Sequence, residues 1–138
     1  MGRILAIDYG KKRVGFAVTD PLQIIASPLD TLPEQEAVKF LKTYMLTEQV
    51  DEFVVGMPLK ENGEPTDATP LVEQFIRSLK NSFPEMPIAT EDEAYTSKQA
   101  VAIMVAAGIK KKERRKKGNV DKVSASLILQ SYLNSKTD

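Results

Sequence analysis

The fold follows from one stretch near the start of the chain, Ile4-Leu5-Ala6-Ile7-Asp8-Tyr9-Gly10-Lys11-Lys12-Arg13-Val14-Gly15-Phe16-Ala17-Val18-Thr19-Asp20. Two apolar runs flank a short basic turn, and the second run is rich in β-branched and aromatic residues. This pattern predicts a β-hairpin. Gly10 is expected to take a positive φ in the turn, and Gly15 to let a backbone or a ligand come close.

Asp8 closes the first apolar run of this hairpin. A carboxylate at the end of a buried strand needs a partner, because burying an unpaired charge is unfavourable. A metal ion bound by Asp8, with phosphate against the basic turn, would provide one. The turn alone fits a nucleotide-cradling hairpin equally well, so both interpretations stay open at this point.

Composition excludes several kinds of chemistry. The 138 residues, 42% hydrophobic and 28% charged, predict one globular domain over residues 1–138, and no apolar run approaches the roughly 20 residues that span a bilayer. The start of the chain predicts a strand rather than a signal peptide, which favours a cytoplasmic location. The chain has no Cys and no His, which excludes thiolate nucleophiles, Ser-His-Asp catalysis and His- or Cys-ligated zinc. Carboxylate oxygens remain, and these suit Mg²⁺ or Mn²⁺.

The formal net charge of zero hides an asymmetry. Residues 108–138 contain nine Lys and Arg against three Asp and Glu, whereas the rest of the chain contains ten against sixteen. Seven of the eight residues from Lys110 to Lys117 are basic. Such a run is either a solubilising, mobile surface loop or a contact with nucleic acid.

Hydrophobic periodicity and turn residues predict the remaining elements. The predicted strands cover Ile24–Leu29, Glu52–Gly56 and Pro87–Glu93. The predicted helices run from a Thr31 cap to about Gln49, from Thr69-Pro70 to before Pro84, from Thr96 or Ser97 to Gly108, and from about Asp121 to Asn134. Leu71, Val72, Phe75, Ile76 and Leu79 are expected to form the buried face of the second of these helices. Helices between the later strands imply parallel crossovers, so the fold class is α/β with a sheet covered on both faces.

Three acids lie where chemistry could occur: Asp8, Glu93 at the end of the last strand, and Asp121 at the start of the last helix. Ligands of α/β sheets bind outside the carboxyl ends of strands. Ser124 and Ala125 are small, share a helix face with Asp121, and would let that helix approach the sheet closely. Each acid also has an ordinary interpretation: Asp121 as a helix cap, and Glu93 as part of a solvated loop.

Three motifs resemble the YqgF family of ribonuclease H-like proteins. Asp8 to Asp20 resembles the family's opening D-x-G-x-K-R-[IV]-G-x-A-x-[ST]-D. Val54-Val55-Gly56-Met57-Pro58-Leu59 with Asn62-Gly63 resembles its V-G-L-P-x-x-x-x-G loop. Val120 to Ala125 with Ile128-Leu129-Gln130 resembles its K-x-x-x-D-x-x-A-A-x-x-I-L-Q ending. The likeness covers essentially the whole chain. It implies a three-layer ribonuclease H-like fold with a central five-stranded mixed sheet, whose first three strands are antiparallel and which has helices on both faces.

One motif departs from the family pattern. The family's D-E-R-[LF]-[ST] is Asp92-Glu93-Ala94-Tyr95-Thr96 here, so Ala94 replaces the arginine while Glu93 keeps the position of the metal ligand. Related resolvases also carry a fourth acid one turn after the helix-start aspartate, where this chain has Ser124. Three carboxylates with water completing the shell are compatible with Mg²⁺.

The resemblance implies a metal-dependent endonuclease that processes the 5′ end of pre-16S rRNA in ribosome biogenesis, with Asp8, Glu93 and Asp121 as catalytic metal ligands. It implies that Mg²⁺ or Mn²⁺ is the cofactor and that basic residues hold nucleic acid: Lys11, Lys12, Arg13, Lys110, Lys111, Lys112, Arg114, Arg115, Lys116 and Lys117.

The alternatives are a Holliday junction resolvase acting on branched DNA, a catalytically weak RNA-binding assembly factor, and an ATP-binding domain of the actin and sugar-kinase type. The ATP-binding alternative needs two such domains, and the chain is long enough for one. We expect no membrane partner, and a monomer or weak homodimer.

Overall fold

A computed structural model describes residues 2–10, 12–60, 62–92 and 119–137, and of residues 119–122 and 137 it describes the backbone alone. The strands are β1 (Arg3–Tyr9), β2 (Arg13–Thr19), β3 (Ala26–Pro33), β4 (Val50–Met57) and β5 (Ile88–Asp92). The helices are α1 (Ala37–Tyr44), preceded by a 3₁₀ turn (Glu34–Glu36), α2 (Thr69–Ser82) and α3 (Asn119–Thr137). The helix expected over 96–108 and the basic run 110–117 lie outside the described residues.

The five strands form one mixed sheet in the order β3-β2-β1-β4-β5. The β1–β2 and β2–β3 pairs are antiparallel, and the β1–β4 and β4–β5 pairs are parallel. Parallel neighbours need a crossover, and α1 and α2 supply the two crossovers. The predicted hairpin, the mixed five-stranded sheet and its antiparallel first three strands are therefore confirmed. Within the described parts of the chain, no helix is long and apolar enough to cross a membrane.

Alternation along β1 divides the core into two layers. Leu5 and Ile7 belong to the cluster that the sheet forms with α1 and α2. Ile4 and Ala6 belong to the cluster on the opposite face, against α3. Since β1 is the central strand and buries both faces, helices cover both sides of the sheet, as predicted.

The third strand and first helix differ from their predicted bounds. Thr31 does not cap a helix: it pairs with Gly15, and β3 continues to Pro33. Leu29 and Leu32 pack against the α1 and α2 layer, which favours an extended β3. Pro28 is tolerated because β3 is an edge strand of the sheet. The helix ends at Tyr44, not near Gln49, because the chain turns there to enter β4.

The second and last helices agree more closely with the sequence. The helix α2 begins at Thr69 and ends before Pro84, and Val72, Phe75, Ile76 and Leu79 are buried as expected. Leu71 was placed on this face wrongly, since it is 39% exposed. Ser124, Ala125 and Ile128 of α3 are buried on one face.

Candidate metal and nucleic-acid site

Asp8 lies near the carboxyl end of β1, on the face of the sheet that α3 covers. Its position follows from alternation: Ile4 and Ala6 pack against α3, and Asp8 is the next residue of that set. The Asp8 side chain is half-buried and is not enclosed in the core. The carboxylate therefore stands at the edge of the α3 layer, where a strand-end site was expected.

Glycines flank Asp8 on both neighbouring strands. Asp8 pairs with Gly15 of β2, and the β1–β4 register, continued one residue past the Ile7–Val55 pair, places it beside Gly56 of β4. Both glycines are buried. Since neither has a side chain, no strand neighbour crowds the carboxylate on this face. The expectation that Gly15 lets a ligand come close stays a prediction.

Glu91 occupies the same row one strand further, because Gly56 pairs with Glu91 of β5. Ala89, two residues earlier, packs in the α3 layer, so Glu91 faces α3 as well. Its carboxylate accepts a hydrogen bond from the Ser131 hydroxyl at 2.9 Å. Sequence reasoning placed Glu91 in the last strand and gave it no role. The alternation of Ala89 and Glu91 is the signal that could have placed it on this face.

Two contacts to Glu52 locate the last turns of α3 on the sheet. The Tyr132 hydroxyl donates to a Glu52 carboxylate oxygen, and the Lys136 ammonium lies 3.2 Å from the other oxygen. Burial of the phenol, and then its hydrogen bond to Glu52, raise the pKa of Tyr132 to about 12. Glu52 lies at the amino end of β4, paired with Ile4. The last turns of α3 therefore lie at the amino ends of β1 and β4.

A helix that runs back along these strands from Glu52 would bring its first turn toward their carboxyl ends. From Tyr132 back to Asp121 is eleven helical residues, or about 16 Å. From Ile4 to Asp8 is four strand residues, or about 13 Å. On these lengths we expect Asp121 to lie at the same edge of the sheet as Asp8.

Glu93, the third predicted ligand, lies outside the described residues, as do Lys11 and the Lys110–Lys117 run. The described part of β5 ends one residue earlier, at Asp92, on the same carboxyl edge. Among the side chains that the structure describes, no group of three or more potential metal ligands gathers. The assignment of Asp8, Glu93 and Asp121 as ligands therefore stays a prediction.

The hairpin turn beside Asp8 requires glycine for a different reason than expected. The φ of Gly10 is not positive. Its amide donates to the Arg13 carbonyl at 2.9 Å, and a Cβ on Gly10 would lie 2.7 Å from that same oxygen. Close backbone approach, not a left-handed conformation, excludes a side chain. Next to this turn Lys12 is exposed, whereas Arg13 is half-buried.

Comparison with known proteins places this architecture in a family. The family model described as "RuvX: Holliday junction resolvase" matches residues 2–135. The chain is 53% identical over 135 residues to a protein of Amoebophilus asiaticus, covering 98% of this chain and 96% of that one. It is 47% identical to proteins of Flavobacterium psychrophilum and Bacteroides thetaiotaomicron, each over 99% of both chains. All three relatives bear the name "Putative pre-16S rRNA nuclease".

A solved structure confirms the fold at a greater distance. Thermus thermophilus RuvC, determined in complex with a Holliday junction substrate, superposes with a TM-score of 0.54 over 99% of this chain and 96% of that one. The sequence identity is 16%, so this likeness supports the shared fold. The match of the family model over nearly the whole chain and the identities near 50% show that the chain belongs to the RuvX (YqgF) family.

Proposed function

We propose that this protein is a divalent-metal-dependent endonuclease that processes the 5′ end of the precursor of 16S rRNA. The observation that supports this most directly is the placement of Asp8. It stands on the α3 face of the sheet, near the carboxyl end of the central strand. Acids that meet at such an edge repel one another unless a cation lies between them.

The residues available at this edge fit a hard cation. Asp8, Asp121 and Glu93 would supply oxygen ligands, and a chain without His or Cys offers no softer ones. Mg²⁺ or Mn²⁺ is therefore the expected cofactor. When bound, such an ion stabilises the charge that develops on a phosphodiester during hydrolysis. The glycines paired with Asp8 on the two neighbouring strands place no side chain directly beside it.

Basic residues would hold the substrate backbone beside this edge. Lys12 projects from the turn that follows Asp8, and Arg13 begins β2 at the same end of the sheet. Lys11 and the run Lys110 to Lys117 extend the basic sequence available for phosphate contacts. Precursor rRNA is the favoured substrate because relatives near 50% identity carry that name over their whole length.

Cleavage of branched DNA is a second candidate, and the description of the matching family model favours it. Both activities would use the same acids, so the described residues do not separate RNA from DNA. Symmetric resolution of a four-way junction would need two copies of the site. A third candidate is an RNA-binding assembly factor of weak activity, which the replacement of the family arginine by Ala94 and the Ser124 position favour.

The test is a cleavage assay on precursor 16S rRNA and on a four-way DNA junction, with Mg²⁺ or Mn²⁺. We expect the wild type to cut the precursor RNA, and Asp8→Asn to lose cleavage while keeping its fold and most of its RNA affinity. Glu85→Gln is the matched control, since it removes one exposed carboxylate from the loop before β5, at the opposite end of the sheet. Equal cleavage by Asp8→Asn would exclude the metal site. Cleavage of the junction alone would favour the resolvase, and RNA binding without cleavage would favour the assembly factor.

A further inference from the structure

A small hairpin follows β4 at the carboxyl edge of the sheet; we call it the finger, and it comprises the described residues 58–60 and 62–66. A bridge between Leu59 and Pro65 pairs its two arms. The Lys60 amide donates to the Glu64 carbonyl at 2.8 Å, and the Gly63 amide donates back to the Lys60 carbonyl at 2.8 Å. Gly63 takes a φ of +84°, which closes the turn. These backbone bonds hold the described residues of the finger together.

Two threonines attach the finger to the start of α2. The Thr66 hydroxyl accepts from the Ala68 amide at 3.2 Å, and the Thr69 hydroxyl accepts from the Thr66 amide at 2.9 Å. These reciprocal bonds close the turn that leads into α2, whose N-cap residue, Ala68, makes no side-chain cap hydrogen bond. The sequence analysis did not predict them.

The hydroxyl protons of the same two threonines are directed at the finger. Both hydroxyls lie within hydrogen-bonding distance of the Pro58 carbonyl, Thr69 at 2.6 Å and Thr66 at 3.2 Å. Thr69 is 6% exposed, so its hydroxyl has little access to water. The base of the finger is therefore fixed to the helix by side chains, which we call the Thr66–Thr69 clamp.

Lys60 is the cation that this arrangement presents. It is exposed, and it makes no ion pair with any residue that the structure describes. It follows Gly56, the β4 residue beside Asp8, by four positions, so its backbone lies at most about 14 Å from that row along the chain. The finger stands on the β4 side of Asp8, whereas the Lys12 turn stands on the β2 side.

We propose that Lys60 binds a backbone phosphate of the nucleic-acid substrate next to the cleaved position, and that the Thr66–Thr69 clamp is what positions it. The inference rests on the proposed function and adds a second point of contact to it. Phosphates held at Lys12 on one side and at Lys60 on the other would guide the substrate strand along the carboxyl edge of the sheet, where Asp8 stands. Thr69 is accordingly a positioning residue, because it acts through the Pro58 carbonyl and not on the substrate.

Salt-dependent binding tests Lys60 without requiring cleavage. Affinity for a single-stranded precursor RNA is measured over a range of salt concentrations for the wild type and Lys60→Ala. We expect weaker binding and a slope of log K against log salt that is shallower by about 0.7, the value for one phosphate contact on a single strand. Lys80→Ala is the matched control, since Lys80 is an exposed lysine in the last turn of α2, at the other end of that helix. A Lys60→Ala slope equal to that of Lys80→Ala would overturn the proposal.

A double-mutant cycle tests the clamp. Thr69→Val removes the hydroxyl at nearly constant shape, and Thr69→Ser keeps it. We expect Thr69→Val to weaken RNA binding in the wild type, Thr69→Ser to restore it, and Thr69→Val to have no further effect once Lys60 is alanine. An equal loss in both backgrounds would mean that Thr69 supports the fold in general and does not position Lys60. If Thr69→Val fails to fold, Thr66→Val enters the same cycle.

These results separate the inference from the proposed function. Cleavage that depends on Asp8 but not on Lys60, together with an unchanged salt slope, would leave the nuclease in place and exclude the finger contact. Absence of cleavage by the wild type with a Lys60-dependent slope would exclude the nuclease and leave Lys60 as a nucleic-acid contact.

Discussion

The phenolic hydroxyl of Tyr132 donates a hydrogen bond of 2.5 Å to the carboxylate of Glu52, 80 residues away in the chain. Lys136, one turn later in α3, lies 5.2 Å from the centre of the Tyr132 ring and pairs with the same carboxylate. The Glu52 carboxylate, near the start of β4, thus contacts two side chains in the last turns of α3. Because a helix is rigid over this length, the contact also limits where its first turn, with Asp121, can lie relative to the sheet.

Tyr132→Phe should destabilise the protein, because it removes the hydroxyl and keeps the ring. Hydrogen bonds to charged groups contribute about 1.5–3 kcal/mol, and Lys136 remains to pair with Glu52, so we expect a loss of about 1.5 kcal/mol in the free energy of unfolding. Urea denaturation measures it. Tyr44→Phe is the control: Tyr44 is half-buried, and its hydroxyl makes no hydrogen bond to a described residue. An equal loss in both variants would contradict a specific role for the Tyr132 hydroxyl.

The same contact predicts a pH dependence at the alkaline end. The pKa of Tyr132 is about 12 in the folded protein, against 10.0 for an ordinary tyrosine. Between these values the unfolded chain releases the phenolic proton and the folded protein keeps it, so unfolding becomes easier as pH rises. We expect the stability difference between wild type and Tyr132→Phe to be full below pH 10 and to shrink from pH 10 to pH 12. A constant difference across that window would show that the pKa is not raised.

The sequence was sufficient for the parts of the fold that local patterns determine. Alternation around Asp8 predicts β1 and its two faces, and the Ser124 and Ala125 pair predicts the face of α3 that packs on the sheet. The limits of β3 depended on a neighbour, since Thr31 becomes a strand residue only by pairing with Gly15. Glu52 with Tyr132 and Glu91 with Ser131 are contacts across 80 and 40 residues, and no local pattern marks such pairs. The sequence therefore predicted the edge where the candidate site lies, but not the contacts that orient α3 over it.

Ile128→Ala should show whether the position of α3 affects cleavage beyond the effect of lost stability. Ile128 is 2% exposed in the α3 layer, and Leu79 is fully buried in the opposite layer. Truncation of either should cost about 2–5 kcal/mol in the free energy of unfolding. We expect Ile128→Ala to reduce metal-dependent cleavage more than Leu79→Ala does, under conditions in which both variants remain folded, because α3 contains Asp121. Circular dichroism confirms folding, and equal residual cleavage would show that the position of α3 does not matter to the site.

Gly10→Ala should disturb the turn beside Asp8. The added Cβ would lie 2.7 Å from the Arg13 carbonyl oxygen, a backbone atom that moves only if the turn opens. We expect weaker RNA binding and slower cleavage, because Lys12 is displaced with the turn.

Gly63→Ala is the contrasting variant: at Gly63 no atom lies within 4 Å of the added Cβ, and the strain comes from the φ of +84°. Because Asn tolerates positive φ, Gly63→Asn should bind RNA and cleave better than Gly63→Ala. At position 10 the obstacle is steric, so Gly10→Asn should be no better than Gly10→Ala. Recovery of cleavage by Gly10→Asn would contradict the steric explanation.

Asp20→Asn should make the loop between β2 and β3 less sensitive to acid. The Asp20 carboxylate accepts backbone hydrogen bonds from Ile25, Ile24 and Leu22, and the bonds from Ile25 and Ile24 contribute most to holding its pKa below 3.8. A lowered pKa means that the ionised form stabilises the fold above the unfolded value, and that this contribution is lost as pH falls through the folded value. We expect Asp20→Asn to be less stable than the wild type at pH 7, because the Leu22 bond and the charge are lost, and the two proteins to converge below pH 4. Thermal unfolding at pH 7, 4 and 2.5 measures this, with the exposed Asp67→Asn as control. A gap that persists undiminished at pH 2.5 would show that the loop depends on the shape of the Asp20 side chain and not on its charge.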